Sequence, residues 1–206
     1  MTAPRLLHID SSITGAHSVS RTLAASVVDK LRDATPGLQV TYRDLTASPL
    51  PHLTGAVFAA ASSGQMPQDE ALCADLTLGS EVLDEFLAAD IVVLGVGFYN
   101  FGIPSQLKAW VDRIAVRGKT FQYTERGPVG LVRGKRVVIA IARGGYYGPG
   151  SPAAAFEHAE TYLRNVFAFI GIANVDVVAA EGLGAGPDAR QAGIAKARAT
   201  IEALPA

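Results

Sequence analysis

The sequence predicts an α/β fold in which five parallel strands form one sheet covered by helices on both faces. Short apolar runs alternate with longer stretches whose apolar residues recur at helical spacing. The run IVVLGV at 91–96 is continuous and β-branched, as suits a strand buried on both sides. Hydrophobic residues make up 49% of the 206 and charged ones 18%, enough apolar material for a full core and too much for a disordered chain.

RLLHID, at 5–10, reads as a buried strand. After a polar loop, Leu23, Ala24, Val27, Val28 and Leu31 mark one face of a helix that Pro36-Gly37 stops. QVTYRD, at 39–44, is a second strand with Val40 and Tyr42 on one face. Residues 45–67, rich in Pro, Ser and Ala, are expected to be irregular. Residues 68–89 are helical by the spacing of Leu72, Leu76, Val82, Leu83 and Phe86, although Gly79 argues against one unbroken helix. The third strand is 91–96. Pro104 then opens a helix with the stripe Leu107, Trp110, Val111, Ile114 and Ala115. A long loop is expected over 117–134, a fourth strand at 135–142, and a helix from about 153 to 169 that Gly171 ends. The fifth strand is 175–180 and the last helix 187–203. No composition break divides the chain, so one domain over residues 1–206 is expected.

The formal net charge of −1 leaves no basic excess to neutralise a nucleic-acid backbone or an anionic membrane. The apolar run before Asp10 is too short for a signal-peptide core, and no stretch approaches the roughly 20 apolar residues that span a bilayer. A cytoplasmic protein is expected. Cys73 is the only cysteine, so neither an internal disulfide nor a cysteine metal cluster is possible. His52 and His158 have no companions at ligand spacing, and no metal site is expected.

In a parallel sheet, ligands bind beyond the carboxyl ends of the strands, which directs attention to the loops after strands one, three and four. The first, SSITGAHSVS, places Ser12, Ser18 and Ser20 around the entry to a helix, where free N–H groups favour an anion. It lacks the Lys of a Walker loop and the glycines of a dinucleotide fingerprint, so it is a phosphate cradle without a cation, or a polar loop with a serine cap. The second, GFYNFGIPSQLKAW, gathers Phe98, Tyr99 and Phe101 with Asn100. These rings either stack on a planar ligand or plug the top of the core. In the third, ARGGYYGPG, Gly144 and Gly145 permit close backbone approach, and Arg143 either brings positive charge to a ligand or lies exposed. A phosphate cradle, an aromatic platform and a backbone edge at three neighbouring strand ends match the parts of FMN.

Ser-Ser-Ile, Ser-x-Ser, Phe-Tyr-Asn-Phe-x-Ile-Pro-Ser-Gln-Leu-Lys, Thr-Phe-x-Tyr-Thr, Gly-Pro-x-Gly-Leu and Arg-Gly-Gly occur in that order, and from Leu6 almost to the C-terminus the chain resembles the FMN-dependent NADH azoreductases and NAD(P)H quinone reductases. The resemblance implies a flavodoxin-like three-layer sandwich with sheet order 2-1-3-4-5 and a homodimer. It also implies non-covalent FMN, with NADH or NADPH as donor and quinones and aromatic azo compounds as acceptors. Ser12, Ser18, Val19 and Ser20 would hold the phosphate. Phe98, Tyr99, Asn100 and Phe101 would hold the ring, and Ala142, Arg143, Gly144 and Gly145 would close its other edge. Val19 stands where the family often has a polar residue and Ala142 where it often has Ser. Tyr123 is a candidate lining residue of the substrate pocket, and no side chain is expected to act as a catalytic acid, base or nucleophile.

Other readings fare worse. A phosphatase of this architecture needs Cys-x5-Arg after strand one, and Cys73 lies elsewhere. A serine esterase wants a His near the chain end, and none follows His158. A receiver domain needs acidic residues that the serine loop does not supply. The remaining alternative is a flavodoxin-type electron carrier. Such carriers are usually shorter and strongly acidic, and they lack extra loops like 45–67 and 117–134.

Overall fold

In the computed structural model, which describes residues 3–63 and 67–205, the chain runs β1 (Arg5–Asp10), α1 (Val19–Ala34), β2 (Gln39–Asp44), α2 (Gly55–Ser63), α3 (Glu70–Ala88), β3 (Ile91–Gly97) and α4 (Ser105–Ile114). It continues through β4 (Phe121–Thr124), β5 (Gly127–Gly130), β6 (Arg136–Ala142), α5 (Ala159–Ile170), β7 (Asn174–Ala180) and α6 (Pro187–Ala203). Residues 64–66 of the expected irregular segment lie outside the described residues, as do 1, 2 and 206 of the expected domain.

Five strands pair in parallel in the order β2-β1-β3-β6-β7. The sheet is therefore parallel and five-stranded as expected, but its order is not 2-1-3-4-5. The fourth and fifth strands along the chain, β4 and β5, form a separate antiparallel hairpin inside the segment 117–134 expected to be a loop. The hairpin escaped detection because its second strand, GPVG, has no apolar run. Gly130 lies so close to the backbone of Ile170 and Gly171 that any Cβ would collide with them, so contact here demands glycine where a strand normally shows a branched side chain.

Each face of the sheet buries its own cluster. On one side Leu23, Val27 and Leu31 of α1 meet Ala197 and Ile201 of α6 over Val93 and Val138. On the other, Phe86 of α3, Trp110 of α4 and Leu163 and Phe167 of α5 cover Val92, Leu94 and Ile139. The inner strands β1, β3 and β6 are buried almost throughout, which explains why they read as unbroken apolar runs.

Three expectations about helices require correction. Within 45–67, α2 forms although only Val57 of it is buried, so it has no apolar stripe to betray it. The helix expected from 153 starts at Ala159, after a short 3-10 turn at Ala154–Phe156. Its start is set by Glu157, whose carboxylate accepts from the N–H groups of Ala159, Glu160 and Thr161 at 3.1, 2.8 and 3.0 Å. By contrast α3 passes unbroken through Gly79, where a Cβ would sit 3.2 Å from Nη1 of the buried Arg113. No helix among the described residues is long and apolar enough to cross a membrane.

Candidate functional site

At the carboxyl end of β1, Ser11 fastens the chain to β3: its N–H and hydroxyl both donate to the Gly95 carbonyl, at 3.0 and 2.8 Å. After a 3-10 turn at Gly15–His17, Ser18 caps α1, its Oγ accepting from the Arg21 N–H at 3.2 Å. The Ser18 and Ser20 hydroxyls are hydrogen-bonded at 3.1 Å, and the Ser12 hydroxyl bonds Thr14 Oγ1 at 3.0 Å and Tyr99 Oη at 2.9 Å. All three serines are buried. The first-turn N–H groups of Val19 and Ser20 have no preceding helical carbonyl to meet.

Arg21 locks this loop from behind. Its Nε and Nη2 donate to the Ser12 carbonyl at 3.2 and 2.9 Å, and its two terminal nitrogens reach the Asp44 carboxylate at 2.7 and 2.8 Å. The Arg21 hydrogen bond, reinforced by Thr46, holds Asp44 well below the usual carboxylate range. Burial, together with the neighbouring Asp10 carboxylate that accepts a hydrogen bond from it at 3.0 Å, pushes the Tyr42 hydroxyl up to about 12. Gly95 makes room for the arrangement, since a Cβ there would overlap the Asp10 carboxylate.

After β3, Tyr99 and Gly102 exchange two backbone hydrogen bonds, at 3.1 and 3.0 Å, around Asn100 and Phe101. Both intervening residues have positive φ, 47° and 71°. That is the signature of the tightest hairpin turn, and it is costly for residues other than glycine. The turn leaves Asn100 and Phe101 exposed. The Tyr99 ring lies over Gly97, 2.6 Å from where a Cβ would be, and its hydroxyl reaches Ser12, so it bridges the first and second loops. Phe98 packs on the core side, 4.6 Å from the Tyr147 ring. The reading of these rings as a plug for the core therefore suits Phe98 and not its two aromatic neighbours.

After β6 the chain is anchored through its carbonyls. Gly144 and Gly145 accept from the N–H groups of Gly184 and Gly182 at 2.8 and 2.9 Å, while their own N–H groups bond nothing among the described residues. A Cβ on Gly144 would meet open space. Arg143 is not the exposed residue of one earlier expectation. It is 2% exposed and reaches Glu157, Glu160 and Glu181 at 3.1, 2.9 and 3.1 Å. Burial opposes ionisation of Glu157, but the N–H groups of Glu160 and Thr161 and the Arg143 charge outweigh it and shift the carboxyl downward.

The loops converge on a cavity of about 380 Å³ lined by Ser12, Ser18, Val19 and Ser20, by Gly97 and Tyr99, and by Ala142, with Thr14, His17, Leu183 and Arg190 completing the wall. A profile of the flavodoxin-like fold family matches residues 4–204. An FMN-dependent NADH:quinone oxidoreductase of Xanthomonas campestris pv. campestris is 57% identical over 202 residues, covering 98% of this chain and 99% of that one. The chain belongs to this flavodoxin-like family of FMN-dependent NADH:quinone oxidoreductases. A second relative of the same name, from Rhizobium meliloti, is 52% identical over 96% of this chain and 95% of its own length. The crystal structure of an azoreductase from Bacillus anthracis superposes with a TM-score of 0.85 at 30% identity, covering 98% of this chain and all (100%) of that one.

Against that family background, six sequence-derived positions, Ser12, Ser18, Val19, Ser20, Tyr99 and Ala142, line the cavity, while Phe98, Asn100, Phe101, Arg143, Gly144 and Gly145 flank it on the same two loops. Tyr123 does not line it: it lies on β4, 62% exposed, with its ring 5.6 Å from that of Phe121. Sequence reasoning missed Arg190 and Leu183. No local motif marks them. Only the packing of α6, which carries Arg190, and of the loop between β7 and α6, which carries Leu183, beside α1 brings them to the serine loop.

Proposed function

We propose that this chain binds FMN without a covalent link and uses it to oxidise NADH or NADPH, reducing quinones and cleaving aromatic azo compounds to amines. The observation that carries the proposal is the single cavity into which the β1 serines, Tyr99 of the β3 loop and Ala142 at the end of β6 converge. The residues present fit that cofactor. Buried serine hydroxyls and first-turn N–H groups suit a phosphate monoester, and the unpaired N–H groups of Gly144 and Gly145 suit the edge of a polar heterocycle. The names of the relatives point to the same cofactor and donor.

In this reading Ser12, Ser18, Val19 and Ser20 hold the phosphate, Phe98, Tyr99, Asn100 and Phe101 border the ring, and Ala142, Arg143, Gly144 and Gly145 form its far edge. Ala142 contributes no hydroxyl, and its carbonyl is occupied by the Phe98 N–H at 3.1 Å. Arg143 acts by holding its loop rather than by presenting charge, because its guanidinium is shared among three carboxylates. Bound FMN supplies hydride acceptance and donation, so the protein's tasks are position and electrostatics. No side chain serves as nucleophile. Ser11, beside the β1 loop, is fully buried and its hydroxyl donates to a backbone carbonyl. We further propose one FMN-binding domain spanning the chain, a homodimer, and a cytoplasmic location.

Denatured protein should release one FMN per chain, identified by mass. Anaerobic NADH should bleach the bound flavin directly, which an electron carrier of the flavodoxin type would not do without a reductase. Steady-state plots at several acceptor concentrations should give parallel double-reciprocal lines. Intersecting lines would mean that nucleotide and acceptor bind together, and would overturn a shared site.

A further inference from the structure

We infer that Arg190 supplies the positive charge for the flavin phosphate, an inference that rests on the FMN reading above. The buried serines and the N–H groups at the start of α1 are neutral donors, as are the hydroxyls of Thr14 and Tyr99; besides Arg190, the one other basic side chain on the wall is the imidazole of His17. A phosphate monoester carries close to two negative charges near neutral pH, and neutral donors alone leave most of that charge uncompensated as it leaves water. A cation is therefore worth looking for at the cavity wall.

Two arginines approach the serines. Arg21 is committed, because the Ser12 carbonyl, Asp44, Thr46 and Tyr42 together occupy its donors. Arg190 has no hydrogen bond or ion pair from its side chain to any described residue, yet it lines the same cavity as Ser12, Ser18 and Ser20. Its backbone is firmly placed: its N–H donates to the Gly186 carbonyl at 3.0 Å in the first turn of α6, a helix packed on α1 and β7. A free arginine on a helix is ordinarily just a solvated charge. What distinguishes this one is that the wall it shares holds three buried hydroxyls and no carboxylate. An incoming phosphate would give its planar fork two oxygens to grip, a pairing that a lysine cannot reproduce.

The consequence is selective. Arg190 should matter for FMN, which has the phosphate, and not for riboflavin, which lacks it. Apoprotein is titrated with each flavin, following the quenching of flavin fluorescence, for wild type, Arg190→Ala, Arg190→Lys and the neighbouring Arg198→Ala. Arg198 shares with Arg190, Ser18 and Val19 the wall of an adjoining cavity but does not line the one that holds Ser12, Ser18 and Ser20 together. Arg190→Ala should weaken FMN about tenfold or more, equivalent to about 1.4 kcal/mol. It should leave riboflavin unchanged and flatten the loss of FMN affinity on adding salt. Arg190→Lys should fall between, and Arg198→Ala should behave as wild type. Unchanged FMN affinity in Arg190→Ala overturns the inference. So does an equal loss for both flavins, which would signal a disturbed ring site, or an equal effect of Arg198→Ala, which would signal general surface charge. If wild type takes up no FMN at all, the flavin reading itself fails, and this inference falls with it.

Discussion

Ser18 and Ser20 stand two positions apart and carry different burdens. Ser18 caps α1 through its Oγ, so its loss removes a helix cap as well as a ligand contact. Ser20 is the second residue of the helix, fully buried, and among the described residues its hydroxyl bonds only to that of Ser18. The two roles separate in mutants. Ser20→Ala should weaken FMN by roughly 1.5 to 3 kcal/mol, the worth of a hydrogen bond to a charged group, with little change in melting temperature. Ser18→Ala should lower flavin affinity and also cost about 1 kcal/mol of stability. Flavin titration and thermal unfolding of the two apoproteins, side by side, check this. Asp44 gives a pH test at the same scale. Because its folded pKa is depressed, the stability it adds through Arg21 is complete above the ordinary carboxylate value near 4 and is lost as pH falls below it. Urea unfolding midpoints should therefore drop for wild type below about pH 4. Asp44→Asn should start lower and fall less steeply, and a parallel fall in the two proteins would refute the role of this carboxylate.

Arg143 ties separate elements together. It leaves the end of β6 and meets Glu157 ahead of α5, Glu160 within α5 and Glu181 just after β7. Removing the buried guanidinium would leave three half-buried carboxylates crowded together. Loss of one partner from a buried ion pair typically costs about 3 to 5 kcal/mol, so Arg143→Met should destabilise the fold by that order. It should also free the Gly144-Gly145 loop, measurable as faster amide exchange there. If instead Arg143 served the ligand alone, stability would hold and only flavin affinity would fall. At this scale the sequence was readable in proportion to burial. β1, β3 and β6 and the helices α1 and α4 bury apolar residues at regular spacing, and the spacing is visible. The hairpin β4–β5 and helix α2 are held by glycine contacts and sparse burial, and they left no period to read.

For the whole molecule the open question is what covers the aromatic rings. Phe101, in the loop after β3, and Phe156 are 44% and 51% exposed, with ring centroids 5.1 Å apart. A face of this kind beside the proposed flavin site suits a second copy of the chain. We expect light scattering to show a homodimer and Phe156→Glu to shift it toward monomer with reduced turnover. A wild-type monomer that works at full rate would refute the proposal.

The parallel sheet and its helices on both faces were legible in the sequence, because buried periodicity is written in consecutive residues. The serine, aromatic and glycine loops were legible too, because a strand's carboxyl end is known once the strand is. Tertiary structure alone decided that Arg143 turns into a carboxylate cluster rather than toward ligand or solvent, and that Phe98 and Tyr99, adjacent in the chain, face different neighbours. It alone placed Arg190, from the last helix, beside serines at the start of the chain. Each of these depends on which elements pack together, and no local spacing encodes that Arg190 lines one cavity with serines about 170 positions earlier in the chain.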